Sequence, residues 1–151
     1  MDVIFHDFTL SDTELLAAGR AVGRLVVAIL LGAVLGFERE RRGRAAGLRT
    51  HSLVALGAAL FTVVPMLFGA TAADLAQVVK GLAAGVGFLG AGAILKGSEQ
   101  GDVQGLTTAA NIWLTAAAGL AVGAGWLWPA VAGVFLSCSV LFLSRVGDWL
   151  K

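Results

Sequence analysis

The chain has 151 residues, of which 58% are hydrophobic and only 14% are charged, and its mean hydropathy is +0.86. A soluble domain of this length does not have such a composition, so the sequence predicts an integral membrane protein. The formal net charge of +1 is uninformative as a total, no nucleic-acid partner is expected, and the single cysteine, Cys138, excludes an internal disulfide.

Stretches without charge are long enough for five membrane-spanning helices, since a span needs about 20 mostly apolar residues. The first helix begins at Ser11 and Glu14, which have the spacing of a capping box. Acidic residues precede it, unlike the basic start of a secretory signal, so we expect it to be retained. The predicted fold is an all-α, polytopic bundle that forms one transmembrane domain over residues 1–151, with spans at about 12–38, 50–68, 73–95, 105–123 and 129–146.

Basic residues are distributed unequally between the two ends of this bundle. Eight fall at the end that holds the connection between spans one and two: Arg39, Arg41, Arg42, Arg44, Arg49, Lys96, Arg145 and Lys151. The opposite end has only Arg20, Arg24 and Lys80. The positive-inside rule therefore predicts a C-terminus in the cytoplasm and an N-terminus on the other side of the membrane.

The octet "GVGFLGAG", residues 85–92, fits the dinucleotide fingerprint G-x-G-x-x-G. That fingerprint carries meaning only after a strand, and this octet lies inside a charge-free apolar segment, so we reject a nucleotide site. Small residues four apart instead allow helices in lipid to approach closely, and they predict that helix three is contacted on two sides. The predicted packing glycines are Gly32, Gly36, Gly81, Gly85, Gly87, Gly90 and Gly92, with a further stripe at Gly119 and Gly123. So much packing surface predicts a homodimer or small oligomer.

Four stretches together resemble the MgtC/SapB family of bacterial inner-membrane proteins: "RLVVAILLGAVLGFERE", "GLRTHSLVALGAALF", "GVGFLGAGAIL" and "GLTTAANIWLTAAAGLAVG". The resemblance covers about residues 20–125 in the order and spacing of the family. It implies an inner-membrane protein of about five spans, related to proteins linked to growth in low magnesium and to survival inside host cells, which act partly by restraining the proton-driven ATP synthase. Members of the virulence type carry a cytoplasmic C-terminal domain, which we do not expect here.

The resemblance also implies a set of functional positions. They are Arg24, Glu38, Arg39, Glu40, Gly47, Leu48, Arg49, Thr50, Asp74, the glycines of the octet, Gly105, Thr107 and Thr108. This chain departs from the pattern at Gln77, where relatives commonly have an arginine, and at Lys80 and Gly81, where they have small or polar residues. The start of helix three is therefore expected to bind or sense differently.

The sequence contains no catalytic constellation, so we expect no enzyme. The two histidines, His6 and His51, fall at opposite ends of the membrane, and no Ser, Cys or His has a triad partner in reach. No cofactor is expected. Whether a metal binds stays open, since a magnesium site of one or two carboxylates leaves no signature in a sequence.

Three polar features remain as candidate binding sites. The first is the connection "FERERRGRAAGLRTH", which is expected to contact anionic membrane lipids, to join the ends of helices one and two, or to dock a partner. The second is a stripe on helix four, which provides either interhelical hydrogen bonds, worth about 0.6 kcal/mol each, or a substrate path. Its members are Thr107, Thr108, Asn111 and Thr115.

The third feature is a cluster of Arg20, Arg24, Asp74 and Lys80 at the outer end. By helical rise, the Arg24 Cα lies about 10 Å below the edge of the hydrocarbon layer, where its side chain either snorkels to the surface or pairs within the bundle. Asp74 is the only acid assigned to the outer end of another span, so we expect an Arg24–Asp74 pair.

Two classes of function follow. In the first, the protein regulates membrane or ion homeostasis by binding another membrane protein, possible partners including the ATP synthase. In the second, it is a small transporter or channel for an ion such as magnesium, phosphate or protons, a class favoured by buried charge and a Thr/Asn lining.

Overall fold

The structure, a computed structural model, describes residues 11–95 and 104–149. These residues form five α-helices and no strand: α1 (Asp12–Arg41), α2 (Leu48–Leu67), α3 (Ala72–Leu95), α4 (Leu106–Gly123) and α5 (Leu127–Trp149). The predicted all-α fold is confirmed, and each helix begins and ends within three residues of a predicted span. His6, Lys96 and Lys151 lie outside the described residues.

Four of the helices, α1 to α4, are long and apolar enough to cross a membrane, and α5 contains a shorter apolar stretch, Leu127–Leu143. The chain is therefore a multi-pass membrane protein. Backbone groups in lipid must find their hydrogen bonds within the segment, which is why such apolar runs form helices.

The helix ends are set by local capping. The Ser11 hydroxyl accepts the Glu14 N–H while the Glu14 carboxylate accepts the Ser11 N–H at 2.8 Å, so the predicted capping box is formed. At the other end of α1, the Glu40 carboxylate reaches across the connection and accepts the Leu48 N–H at 2.7 Å, at the start of α2. Glu40 therefore ties the ends of the first two helices together.

α4 lies at the centre of the bundle and contacts all four other helices. The core around it consists of small residues, mainly Ala28, Ala55, Ala59 and Ala118, with Val122 filling the remaining space. Half of the residues in the apolar stretch of α4 are buried, against 11% of those in α3. α3 packs on α4 and touches α2 only slightly, so one side of α3 stays open.

Glycines make the closest helix approaches. A Cβ at Gly32 would lie 2.5 Å from the His51 carbonyl oxygen, and one at Gly123 would lie 2.7 Å from the Ala59 carbonyl oxygen. At Gly119 it would overlap with the Ala55 carbonyl oxygen. Gly32 of α1 and Gly119 and Gly123 of α4 therefore allow both helices to pack closely against the backbone of α2.

The glycines of α3 do not make the close helix contacts that the sequence predicted. A Cβ at Gly81, Gly85, Gly87 or Gly92 would meet nothing within 4 Å, and one at Gly90 would only touch Ala109 at 3.5 Å. The expected close contacts on two sides of helix three are therefore absent within the described chain. α3 packs on α4 through larger side chains, among them Leu82 and Val86.

Candidate functional site

Polar side chains are buried together where the connection between α1 and α2 meets the first turns of α4. We call this group the polar cluster, and the end of the bundle that holds it the loop end. Its members come from α1, α2, α4 and α5: the buried Arg39, His51, Thr108, Asn111 and Thr115, and the half-buried Ser137. Buried polar groups are costly unless they are paired, so their pairing decides what the cluster does.

Arg39 is the buried charge of the cluster, with only 3% of its surface exposed. Its Nη2 donates to the Thr108 hydroxyl across the α1–α4 contact, whereas its Nε–H has no partner. Of the neighbouring carboxylates, Glu40 accepts the Leu48 N–H, and Glu38 forms an ion pair with Arg42 while both of its buried oxygens lack a hydrogen-bond partner. Within the part of the chain that the structure describes, Arg39 forms no ion pair, although the charge of Glu38 acts on it.

Asn111 lies one turn further along α4 and links it to α5. Ser137 Oγ donates to Asn111 Oδ1 at 3.2 Å, and the Asn111 Nδ2 group is buried without a partner. Thr115 Oγ1 donates to the Asn111 carbonyl oxygen at 2.7 Å. Thr108 and Asn111 therefore form hydrogen bonds to α1 and α5, whereas Thr107 is exposed.

His51 is completely buried on the face of α2 that packs against α1. Its Nδ1 lies 2.9 Å from the Gly47 carbonyl oxygen, which only accepts hydrogen bonds, so Nδ1 carries the proton. Nε2 then presents a lone pair, and it has no partner. Sequence analysis included His51 only as the last residue of the connection FERERRGRAAGLRTH and did not predict its burial, although its position four residues before Ala55, on the small-residue face of α2, was a signal of it.

Two predicted residues at the start of α2 lie at the surface. Arg49 and Thr50 are exposed, and neither pairs with Glu38 or Arg39, so the joining of the two helix ends falls to Glu40 alone among the predicted residues. Arg49 and Thr50 line the mouth of a cavity of about 390 Å³ between α2, α3 and α4. Ala93 and Ile112 form its inner wall, next to the first turn of α4.

At the opposite end, the expected Arg24–Asp74 pair does not form. Arg24 Nη1 donates to the Gly123 carbonyl oxygen at 3.0 Å, and the Asp74 carboxylate accepts the Thr71 N–H at 2.8 Å as a cap of α3. The physical reason is that α1 and α3 contact different parts of α4 and do not touch each other. Lys80 is exposed on α3 and belongs to no cluster in the described chain.

This arrangement changes the expected result of mutating the pair. Arg24→Ala should weaken the contact of α1 with the end of α4 by about 1–3 kcal/mol, as expected for a hydrogen bond to a charged group. Asp74→Ala should cost about 1 kcal/mol as a lost cap. The swapped protein, Arg24→Asp with Asp74→Arg, should combine both losses without rescue, measured as folded yield and resistance to unfolding by detergent. Rescue by the swap would instead show that the two side chains meet.

The polar cluster is separated from the other end of the bundle by apolar packing. Between the cluster and Arg24 lie the small residues Ala28, Ala55 and Ala59, together with Val122. The described residues also contain no group of three or more His, Cys, Asp or Glu side chains placed to hold a metal ion. The loop end thus holds buried hydrogen-bonding atoms of both kinds without a partner: donors on Arg39 and Asn111, and acceptors on His51 and on the neighbouring Glu38 carboxylate.

Comparison with known proteins gives a consistent result. The profile of the MgtC family matches residues 25–148. Protein SrpB of Synechococcus elongatus is 48% identical over 85% of this chain and 78% of its own length. Protein MgtC of Brucella abortus is 48% identical over 74% of this chain and 46% of its own length. The putative magnesium transporter YhiD of Escherichia coli K12 is 38% identical over 78% of this chain and 57% of its own length. The chain thus spans about half the length of the last two relatives, and no solved structure matches it.

Proposed function

The chain belongs to the MgtC family, and from that premise we propose that it is a non-enzymatic regulator of ion homeostasis in the bacterial inner membrane. It acts in adaptation to low magnesium by binding another membrane protein, the ATP synthase being one candidate. The observation that carries this proposal is the closed core. A conducting protein needs a polar path, whereas here α1 and α4 press on α2 with backbone against backbone.

The open side of α3 supports a binding role. Gly81 and Gly85 line a groove of about 580 Å³ between α2 and α3, walled by apolar side chains that include Leu53, Phe61 and Leu89. Small residues without an intramolecular contact suit the close approach of another transmembrane helix. The helix that fills this groove belongs to a second copy of the chain, in a homodimer or small oligomer, or to the regulated partner.

A flux assay tests the proposal. Purified protein in liposomes is expected to give no specific flux of magnesium, phosphate or protons above that of empty vesicles. The same protein, expressed in a strain that lacks it, is expected to support growth in low magnesium. A repeatable, saturable flux of one of these ions, abolished by Arg39→Gln, would replace the regulator with a transporter.

The second candidate function is that of a small ion transporter, and one observation favours it. Unpartnered atoms of Arg39, His51 and Asn111 are buried together at the loop end, where a transported ion would find its ligands. The name of the Escherichia coli relative, putative magnesium transporter, describes the same class. In this alternative the small-residue core must open during transport.

Orientation is a further part of the proposal. The eight basic residues that the sequence assigns to this end support a loop end in the cytoplasm, with the C-terminus inside and the N-terminus outside. A reporter that is active only in the cytoplasm should therefore be active when fused after Lys151 and inactive when fused before Met1. The reverse pattern would place the polar cluster on the periplasmic side.

A further inference from the structure

A cavity at the end of the bundle opposite the loop end is lined by two arginines. It has a volume of about 310 Å³ and lies between α1, the end of α4 and the start of α5, where α1 and α5 touch only slightly. Its walls include Arg20, Gly23, Arg24 and Val27 of α1, Val122 of α4 and Leu127 of α5. Because Arg20 and Arg24 are one helical turn apart, both side chains border the same space.

Most of the hydrogen-bond donors of these two side chains are not used within the protein. Arg24 Nη1 donates to the Gly123 carbonyl oxygen at 3.0 Å, but a guanidinium offers five N–H groups. Its Nη2 lies where a side chain at Gly125 would stand, since a Cβ there would come within 2.8 Å of it. Arg20 is exposed and forms no ion pair in the described part of the chain. Both guanidinium groups can therefore donate to a ligand in the cavity.

No carboxylate among the described residues pairs with either arginine. The ion pair that these residues contain lies at the loop end. Asp74 caps α3, which does not touch α1, and Asp12 and Glu14 lie more than one turn before Arg20 on α1. Within residues 11–95 and 104–149 the two positive charges thus lack a counter-charge, and a bound anion would supply one.

The start of α5 adds positive potential to the same cavity. The N–H groups of Leu127 and Trp128 have no acceptor within the helix and no backbone acceptor elsewhere in the described chain, and Pro129 has no N–H. A helix N-terminus also carries a partial positive charge, which favours anions. The last four carbonyl groups of α4, in contrast, already accept hydrogen bonds from Arg24 and from the turn that follows. Their negative potential is therefore partly offset.

The depth of the cavity in the membrane suits a phosphate group at the headgroup level. Trp126 and Trp128, which flank Leu127 in the sequence, are exposed by 68% and 82%, and indole side chains favour the interface between headgroups and hydrocarbon. Val27 and Val122 form apolar walls on the side that faces the middle of the bundle. The cavity thus combines positive charge near the membrane surface with apolar walls below it.

We propose that this cavity binds a phosphate group, carried by an anionic phospholipid or free in solution. Arg20 and Arg24 donate to its oxygens from α1, and the N–H groups of the first turn of α5 donate from the other wall. The bound phosphate joins two helices that otherwise touch only slightly. The inference goes beyond the proposed function, because it concerns the end of the bundle that lies away from the polar cluster.

The experiment measures binding to the full chain. The protein is purified in a neutral detergent and freed of lipid, and radiolabelled inorganic phosphate is added, with sodium chloride of equal ionic strength as the reference. In parallel, protein from nanodiscs of phosphatidylglycerol or of phosphatidylcholine is analysed by native mass spectrometry for retained lipid. We expect about one phosphate or one phosphatidylglycerol per chain and a rise of about 3 °C or more in the unfolding midpoint at saturation.

Matched variants locate the site. Arg20→Gln should weaken binding at least about tenfold, as expected for a lost hydrogen bond between charged groups. Lys80→Gln removes the same charge from α3, which does not touch α1, and should bind as the wild type does. Gly23→Leu should fill the cavity and abolish binding while the protein still folds, because a Cβ at this position meets nothing within 4 Å. Gly19→Leu adds the same side chain one turn earlier, also in open space, and should bind normally.

The outcomes separate the two sources of the phosphate. Phosphate bound in lipid-free detergent identifies the free anion, and phosphatidylglycerol retained without phosphate binding identifies the lipid headgroup. Either result supports the site if Arg20→Gln and Gly23→Leu reduce it and the two controls do not. Binding that survives in either variant, that is lost equally in the controls, that does not distinguish phosphatidylglycerol from phosphatidylcholine, or that is absent with both probes overturns the inference. Neither growth nor ion flux is measured, so such a failure would leave the proposed regulator in place.

Discussion

Gly119→Ala is expected to prevent the bundle from folding normally. The added methyl group would overlap with the carbonyl oxygen of Ala55, and the nearest atoms all belong to the backbone of α2, which cannot move aside as a flexible side chain can. Overpacking of a side-chain core costs about 1–3 kcal/mol, and here the cost should be about 3 kcal/mol or more because two helices must separate. The measurement is the folded fraction in membranes and its resistance to SDS.

A matched control makes this result specific. Gly85→Ala introduces the same methyl group on α3, where nothing lies within 4 Å, and should leave the folded yield of the protomer unchanged or slightly higher, since alanine favours helix over glycine. Gly32→Ala, whose Cβ would lie 2.5 Å from the His51 carbonyl oxygen, should behave like Gly119→Ala. If Gly119→Ala folds as well as Gly85→Ala, the close approach of α4 to α2 is not required.

These glycines also show what the sequence determines about the fold. The helices were predictable because charge-free runs of sufficient length have only one way to satisfy their backbone in lipid. Which glycine stripe makes a contact was not predictable, since Gly81 and Gly85 have the same four-residue spacing as Gly119 and Gly123. The difference arises because α4 is surrounded by helices whereas one side of α3 is open, and helix periodicity carries no information about neighbours.

The candidate site was predictable to a similar degree. Arg39, Thr108 and Asn111 were identified from the residues and the family resemblance, and the structure brings Arg39 and Thr108 together although they are 69 positions apart. The Arg24–Asp74 pair was wrongly expected because it rested on depth in the membrane alone, and depth does not tell which helices touch. The burial of His51 was missed because the residue was judged by its distance from His6 and by its place in the connection, and the face of α2 on which it lies was not considered.

His51→Asn and His51→Gln are expected to separate the structural role of this histidine from its function. The amide nitrogen of asparagine takes the place of Nδ1 and preserves the hydrogen bond to the Gly47 carbonyl oxygen, but no atom replaces Nε2. Glutamine is longer and places a polar group where Nε2 lies. Because Nε2 has no partner in the described structure, neither change removes a second protein contact, and His51→Asn should alter the stability by about 1 kcal/mol at most.

Function should respond differently from stability. If the Nε2 lone pair takes part in the work of the polar cluster, His51→Asn should lose growth in low magnesium while keeping a normal folded yield, and His51→Gln should retain part of it. Thr62→Val serves as the control, since Thr62 is also buried on α2 but donates only to the Ala58 carbonyl oxygen of its own helix, and growth should be unaffected. Normal growth of His51→Asn would show that the histidine only closes the α1–α2 contact.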